Sequence, residues 1–158
     1  DCILVANPVK TPDGMHSVKR VVQLAEVRKG WTKDPLEEKG FVDLLKYNVE
    51  KDNLEPSQEL INGESDIIKA VAANVKGWAG NWDAVYDNIL LRARIKQELV
   101  NLSDKLKKPG ILEARFNVWS NDVFHNISDE IRKEAGLPLS ERVFPLWKKW
   151  AVIQAKKF

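Results

Sequence analysis

The sequence predicts an α+β fold, in which an N-terminal antiparallel sheet of three to four strands is followed by four to five helices. Short apolar and β-branched runs separated by turn residues fill residues 1–60. Apolar residues recur at helical spacing over residues 65–158. We therefore expect one domain or lobe over residues 1–158, with β hairpins first and helices after them.

The first two predicted strands form a hairpin. Residues 2–9 are mostly apolar, and a Thr-Pro-Asp-Gly turn follows at residues 11–14, with a glycine that tolerates positive φ. The returning strand, about residues 17–28, carries apolar side chains on both faces, namely Val18, Val22 and Leu24 on one and Val21, Ala25 and Val27 on the other. Because neither face is polar, we predict that this strand is central in its sheet.

Two further strands complete the predicted sheet. Residues 29–39 are rich in charge and contain Trp31, which is typical of an exposed loop. Residues 41–49 return to strand character, and a polar turn at 50–53 leads into a last short strand. Pro56 restricts that strand to a sheet edge, because proline cannot donate a ladder hydrogen bond.

The longest predicted helix covers residues 82–107. Its apolar positions recur at spacings of three and four, at Leu91, Ile95, Leu99, Leu102 and Leu106. A shorter helix precedes it, with Ser65 as the N-cap and Gly77 placed to end it. The proline and glycine at 109 and 110 stop the long helix.

Three further helical segments follow in the prediction, of which the first two are short. Residues 111–119 form the first, and the second begins at Ser128 and closes at Gly136 and Pro138. The last begins near Ser140 or Pro145. We expect one side of it to be lined by apolar residues, namely Leu146, Trp147, Trp150 and Ile153.

Composition argues against several classes of protein. The formal charge of +2, from 25 basic and 23 acidic residues, is too balanced for the positive field of a nucleic-acid-binding protein. The one cysteine, Cys2, cannot form an internal disulfide, and with only His16 and His125 there is no zinc-finger spacing. A reduced, intracellular setting fits this composition, and no apolar run is long enough to predict a membrane span.

No residue is assigned a catalytic, cofactor-binding or metal-binding role. No G-x-x-x-x-G-K-[ST] phosphate loop occurs in the sequence. Asp83 and Asp87 share a helix face, yet acidic residues in a first helical turn are usually solvated and favoured by the helix dipole. His125 is interpreted as a structural residue and Cys2 as a small buried apolar one.

Tryptophans and arginines leave alternatives open. Trp78 and Trp82 are predicted to pack in the core, whereas Trp147 and Trp150 lie among lysines of the last helix, namely Lys148, Lys149, Lys156 and Lys157. That helix either packs in the core or binds a protein partner or a membrane surface. Three arginines either form ordinary ion pairs, such as Arg20 with Glu26, or reach a neighbouring subunit's phosphate, namely Arg20, Arg92 and Arg94.

Several short sequence elements occur in a recognisable order. Lys19-Arg20 precedes Glu26-Val27, and these are followed by Leu45-Lys46-Tyr47-Asn48, Lys51-Asp52-Asn53, Ser65-Asp66-Ile67-Ile68 and Arg92-Ala93. Over residues 2–102 this order resembles the C-terminal part of archaeal type II/IV secretion ATPases, the superfamily that powers pilus, secretion and archaellum assembly.

That resemblance implies a non-catalytic C-terminal region of a cytoplasmic hexameric motor, located after the Walker motifs and working by subunit packing and force transmission. The parent protein would bind ATP and magnesium, contact neighbouring subunits, and act on a polytopic membrane platform protein. Because residues 2–6 already read as a strand, we expect the chain to be a piece of a longer protein. The alternative is a stand-alone adaptor that binds a protein or membrane through its C-terminal Trp/Lys helix.

Overall fold

The computed structural model of the chain describes residues 1–38, 40–75, 77–133 and 139–158. The chain divides into two compact units, unit 1 with residues 1–80 and unit 2 with residues 81–158. Unit 1 contains the sheet and two short helices, and unit 2 is helical.

Unit 1 is built on a four-stranded antiparallel sheet. Its strands are β1 (Cys2–Lys10), β2 (Ser17–Val27), β3 (Phe41–Asn48) and β4 (Asn53–Pro56), and they pair in sequence order. A sheet of this kind followed by helices confirms the predicted α+β fold. The central position predicted for β2 is also confirmed, since it pairs with both β1 and β3, and Pro56 lies on the edge strand.

The turn between β1 and β2 forms as its sequence predicts. Gly14 has a φ of 71°, and its N–H donates to the carbonyl of Thr11 at 2.8 Å. Edge strand β1 is largely exposed, with Leu4 62% accessible. Cys2 is exposed on the same strand, so its predicted burial is wrong. The apolar residues next to Cys2 in the sequence belong to the exposed edge strand of the sheet and do not form part of a core.

Two short helices complete unit 1, α1 (Gln58–Ile61) and α2 (Asp66–Ala72). Each begins after a serine whose hydroxyl accepts a backbone N–H three residues on, Ser57 for α1 and Ser65 for α2. The predicted N-cap at Ser65 is therefore confirmed. The helix ends at Ala72, earlier than the glycine at 77 predicted.

Unit 2 consists of α3 (Trp82–Leu106), a 3-10 turn (Pro109–Leu112), α4 (Ala114–Lys133) and α5 (Leu139–Lys157). Contacts join α5 to both α3 and α4. The predicted stripe of α3 supplies four of the buried core residues, namely Leu91, Ile95, Leu99 and Leu102. α4 and α5 contribute aromatic and small side chains to the same core, among them Phe116, Phe124, Val143, Phe144, Trp147, Ala151 and Ala155.

One continuous helix, α4, replaces the two short segments predicted at 111–119 and from Ser128. Its 20 residues include a polar middle of weak helix formers that suggested a break. The buried positions Phe116, Ser120 and Phe124 recur every fourth residue, and their packing on α5 sustains the helix. The predicted closure at Gly136 and Pro138 lies outside the described residues.

The buried face of α5 differs from the predicted one. Of the four residues predicted to line one side of this helix, Trp147 is fully buried, whereas Leu146 and Ile153 are 53% and 46% exposed. The core is met instead by residues spaced four apart, namely Val143, Trp147, Ala151 and Ala155. The small alanine side chains allow the helices to approach closely on this side. The larger side chains of Leu146 and Ile153 lie on the exposed side of the helix. Within the described ranges, no helix has the length and apolar character needed to cross a membrane.

Candidate functional site

The acidic residues of α3 are not gathered into a site. Asp83 is exposed in the first turn, as predicted for a solvated helix start. Asp87 instead accepts the N–H of Ser140 at 3.0 Å and also the hydroxyl of that serine. The solvated role predicted for Asp87 is therefore wrong, because its carboxylate holds the first turn of α5.

In the described part of the chain, His125 and Cys2 are not part of a metal site either. His125 is exposed on α4, with its ring 5.0 Å from that of Phe124. Cys2 lies in unit 1. Among the side chains that the structure describes, no three histidine, cysteine or acidic residues are grouped closely enough to hold a metal ion.

The six tryptophans occupy different environments. Trp147 is completely buried, and its indole N–H donates to both the carbonyl and the hydroxyl oxygen of Ser120, at 3.3 and 3.2 Å. Trp78 and Trp82 are half-buried and do not belong to the core, contrary to prediction. Trp31 and Trp119 are each 42% exposed. The two tryptophans of α5 thus face different surroundings, one inside the core and one beside α4.

An aromatic cluster joins the start of α4 to the end of α5. The rings of Trp119 and Trp150 meet edge to face, with centroids 5.0 Å apart. Phe116 lies beneath them, 5.9 Å from Trp150 and 5.2 Å from Phe158. Arg115 places its guanidinium carbon 5.6 Å from the Phe158 ring, which is within cation–π range.

This cluster opens onto an apolar surface that we name the α4–α5 face. It comprises Trp119, Val123 and Ile127 on α4, and Leu146, Trp150 and Ile153 on α5. The α4 members are spaced four residues apart and the α5 members four and three, so each set forms one stripe. Three of the six are more than two-fifths exposed, namely Trp119, Leu146 and Ile153. Exposed apolar residues that are grouped on adjacent helices are a candidate interaction surface.

The two ends of the α4–α5 face carry opposite charge. At the end where α4 begins, Arg115 and Lys157 are exposed cations. At the other end a groove of about 610 Å³ is lined by Glu130, Glu141 and Arg142 beside Ile127 and Leu146. Among the described residues that line this groove, two carboxylates against one guanidinium leave a net negative charge. The middle of the α4–α5 face is therefore apolar. One of its ends carries positive charge and the other end carries negative charge.

Arginines predicted as ion-pair partners take several roles. Arg20 pairs with Asp52 at 3.1 Å, not with Glu26. Arg92 donates from Nε to the Asn88 side-chain oxygen at 2.7 Å, with its guanidinium carbon 5.2 Å from the Phe124 ring. Arg94 lies over Phe144 at 4.0 Å. Among the residues that the structure describes, no ion pair involves Arg92 or Arg94.

In unit 1 the buried residue Glu26 has a structural role. Its carboxylate accepts the Ser65 hydroxyl at 2.6 Å and the N–H of Asp66 at 3.0 Å, and Arg28 lies 3.2 Å away. Burial by itself would raise the pKa of Glu26, but hydrogen bonds from Ser65, Asp66 and Ile67, with the charge of Arg28, lower that pKa below its usual value. The carboxylate is thus held ionised inside unit 1.

Comparison with known proteins gives no match: no family model, no curated protein and no solved structure is similar to this chain. The resemblance to secretion ATPases therefore rests on the order of sequence elements alone.

The sequence contained a signal for the α4–α5 face. Trp119, Val123 and Ile127 recur at a spacing of four, which marks one side of a helix. The weak helix formers between residues 119 and 128 mask this signal, because they predict two separate helices. Only when α4 is continuous do these three side chains align beside α5.

Proposed function

We propose that this chain is a non-catalytic assembly module that binds a second copy of itself through the α4–α5 face. The observation that carries the proposal is the exposed apolar stripe of Trp119, Leu146 and Ile153 across two adjacent helices. Buried cores of protein interfaces are enriched in tryptophan and depleted of charge, as this stripe is. Self-association is also the subunit-packing role implied by the resemblance.

The charges favour a second copy as the partner. A two-fold dimer brings the same surface of both chains together, so contacts occur in reciprocal pairs. If the two faces lie antiparallel, the cationic end with Arg115 and Lys157 meets the acidic end with Glu130 and Glu141 twice. Opposite potentials across an interface select the orientation of the partners.

A membrane surface is a less favourable partner. An anionic bilayer would attract the cationic end but repel the acidic end of the same face. Trp147, one of the two tryptophans of α5, is buried and cannot reach lipid. Binding to anionic vesicles with retention of the monomer would replace our proposal with the membrane alternative.

We propose further that the parent protein is a motor ATPase of the secretion, pilus or archaellum type, a cytoplasmic hexamer peripheral to the membrane. The order of sheet and helices over residues 2–102 supports this proposal. In it, ATP and magnesium belong to another region of the parent chain, and the membrane platform is a partner of the assembled motor. A Walker A motif upstream in the same reading frame is the expected result, and a reading frame without one excludes this parent.

Self-association is tested by measuring the molar mass in solution by sedimentation equilibrium. We expect the wild-type chain to form dimers, and Leu146→Asp and Ile153→Asp to remain monomeric, since each adds a charge to the centre of the contact. Val118→Asp is the matched control, because Val118 is 61% exposed on α4 and lies outside the α4–α5 face. Circular dichroism should show that all three variants keep their helices.

A charge exchange tests the antiparallel orientation. Lys157→Glu and Glu141→Lys should each weaken the dimer, because each places like charges at both reciprocal contacts. The double variant restores opposite charges and should regain dimerisation. A wild-type chain that stays monomeric at high micromolar concentration contradicts the proposal, and a double variant weaker than either single variant contradicts the orientation.

A further inference from the structure

We infer that a pocket between α3 and α4 binds a phosphate-like dianion. The pocket, here named the α3–α4 pocket, has a volume of about 130 Å³. A liquid water molecule occupies about 30 Å³, so the space suits a ligand of a few heavy atoms. The inference is independent of the α4–α5 face, because none of the six residues of that face lines the pocket.

The electrostatics of the pocket favour an anion. Its lining includes two cations, Arg92 and Lys96, together with polar side chains of α4 and no carboxylate. Within the described part of the chain, neither cation has an ion pair with an acidic residue. Two positive charges that share a partly enclosed site repel each other, and a dianion relieves that repulsion.

Arg92 is held in place before any ligand binds. Its Nε–H donates to the Asn88 side-chain oxygen at 2.7 Å, and its guanidinium lies 5.2 Å from the Phe124 ring centre. These contacts use Nε and one flat side of the group, which leaves the terminal N–H donors for a ligand. An arginine fixed in this way loses little side-chain entropy when it binds two oxygens of a phosphate.

Polar groups of α4 supply further donors. The Ser120 oxygen accepts the Trp147 indole N–H at 3.2 Å, so the hydroxyl proton remains available to a ligand oxygen. Asn121 adds a side-chain amide to the lining. Asn117 donates its amide protons to the carbonyls of Ile111 and Glu113 at 3.1 and 2.9 Å, so it shapes the pocket without offering a donor.

A titration with inorganic phosphate, followed by two-dimensional ¹⁵N NMR of the whole chain, tests the site. We expect saturable shifts of the backbone amides of Lys96, Ser120 and Asn121. Arg92→Gln and Lys96→Gln should each weaken binding by about ten-fold or more, because each removes a charged donor. Lys105→Gln is the matched control, since Lys105 is an exposed lysine of α3 outside the pocket and should bind as the wild type does.

Two additional arms identify the source of the phosphate group. Tighter binding of glycerol phosphate than of inorganic phosphate assigns the site to a phosphoryl group on a larger molecule, and the reverse order assigns it to the free ion. Equal shifts with chloride at matched ionic strength overturn the inference, as does equal weakening by Lys105→Gln and Lys96→Gln. An absence of saturable shifts with either phosphate compound also overturns it.

Discussion

The hydroxyl of Ser65 donates to the carboxylate of Glu26 at 2.6 Å, while its oxygen accepts the N–H of Ile68 at 3.2 Å. One serine thereby caps α2 and connects that helix to strand β2. Glu26 is fully buried, and it reaches the same helix terminus through the N–H of Asp66. The ionised carboxylate and the cap therefore stabilise each other.

Replacement of Glu26 by Gln should destabilise unit 1 by about 3 kcal/mol, because a neutral amide directs donor hydrogens towards other donors in a buried site. The free energy of unfolding can be measured by hydrogen exchange of the amides of β2 and α2. Glu59→Gln, at an exposed position in α1, is the matched control and should have little effect. An equal loss in both variants would refute the role of the buried carboxylate.

The loop before β3 should lose stability at low pH, because protonation of Glu38 weakens the hydrogen bonds that hold the loop. Backbone N–H groups of Lys33, Asp34 and Thr32 donate to its carboxylate and lower its pKa from 4.5 to about 2. Because the folded pKa is depressed, the stabilisation is complete above pH 4.5 and is lost as the pH falls towards 2. NMR shifts of the Lys33 and Asp34 amides should titrate in that range, and Glu38→Gln should abolish the titration.

Trp147→Phe should lower the free energy of unfolding of unit 2 by about 2 kcal/mol, since it removes both bonds to Ser120 and leaves space in the core. Ser120→Ala should cost less, because the Ser120 carbonyl still accepts the indole N–H. Urea denaturation of the two variants and their combination forms a double-mutant cycle. A coupling energy of zero would contradict a contribution from the hydroxyl.

Lys107→Gly should stabilise unit 2 by about 1 kcal/mol. Lys107 follows α3 with a φ of 55°, a left-handed conformation that glycine adopts without steric cost. Lys105→Gly, two residues earlier and inside the helix, should instead lower the free energy of unfolding by about 1 kcal/mol. The melting temperatures of the two variants can be measured by thermal denaturation. If both variants shift in the same direction, this explanation is wrong.

Local sequence signals were sufficient for the sheet. Proline and glycine at 12 and 14 fixed the first turn, apolar residues on both sides of β2 indicated its central position, and Pro56 indicated the edge. Each signal acts over a few residues. Tertiary packing does not have to override any of them, so the antiparallel order could be predicted from the sequence.

The continuity of α4 and the buried side of α5 could not be predicted, because both depend on packing between helices. The weak helix formers around Asn121 and Asp122 indicate a break, yet burial of Phe116 and Phe124 outweighs them. In α5 the apolar residues cover more than one side, and only the partners on α3 and α4 select Ala151 for the core and Leu146 for the surface. The α4–α5 face and the α3–α4 pocket both depend on this packing. The spacing of Trp119, Val123 and Ile127 indicates one stripe of that face, but no local pattern indicates how α3 and α4 pack to form the pocket.

The bond between Glu26 and Ser65 joins positions 39 residues apart. A helix as short as α2, with 7 residues, is not stable in water by itself. Ser65 caps one N–H of its terminus, and Glu26 of β2 accepts another, so we expect α2 to form late, after the strands have paired. The helix then acts as a latch: its protection against hydrogen exchange should rise and fall together with that of the sheet.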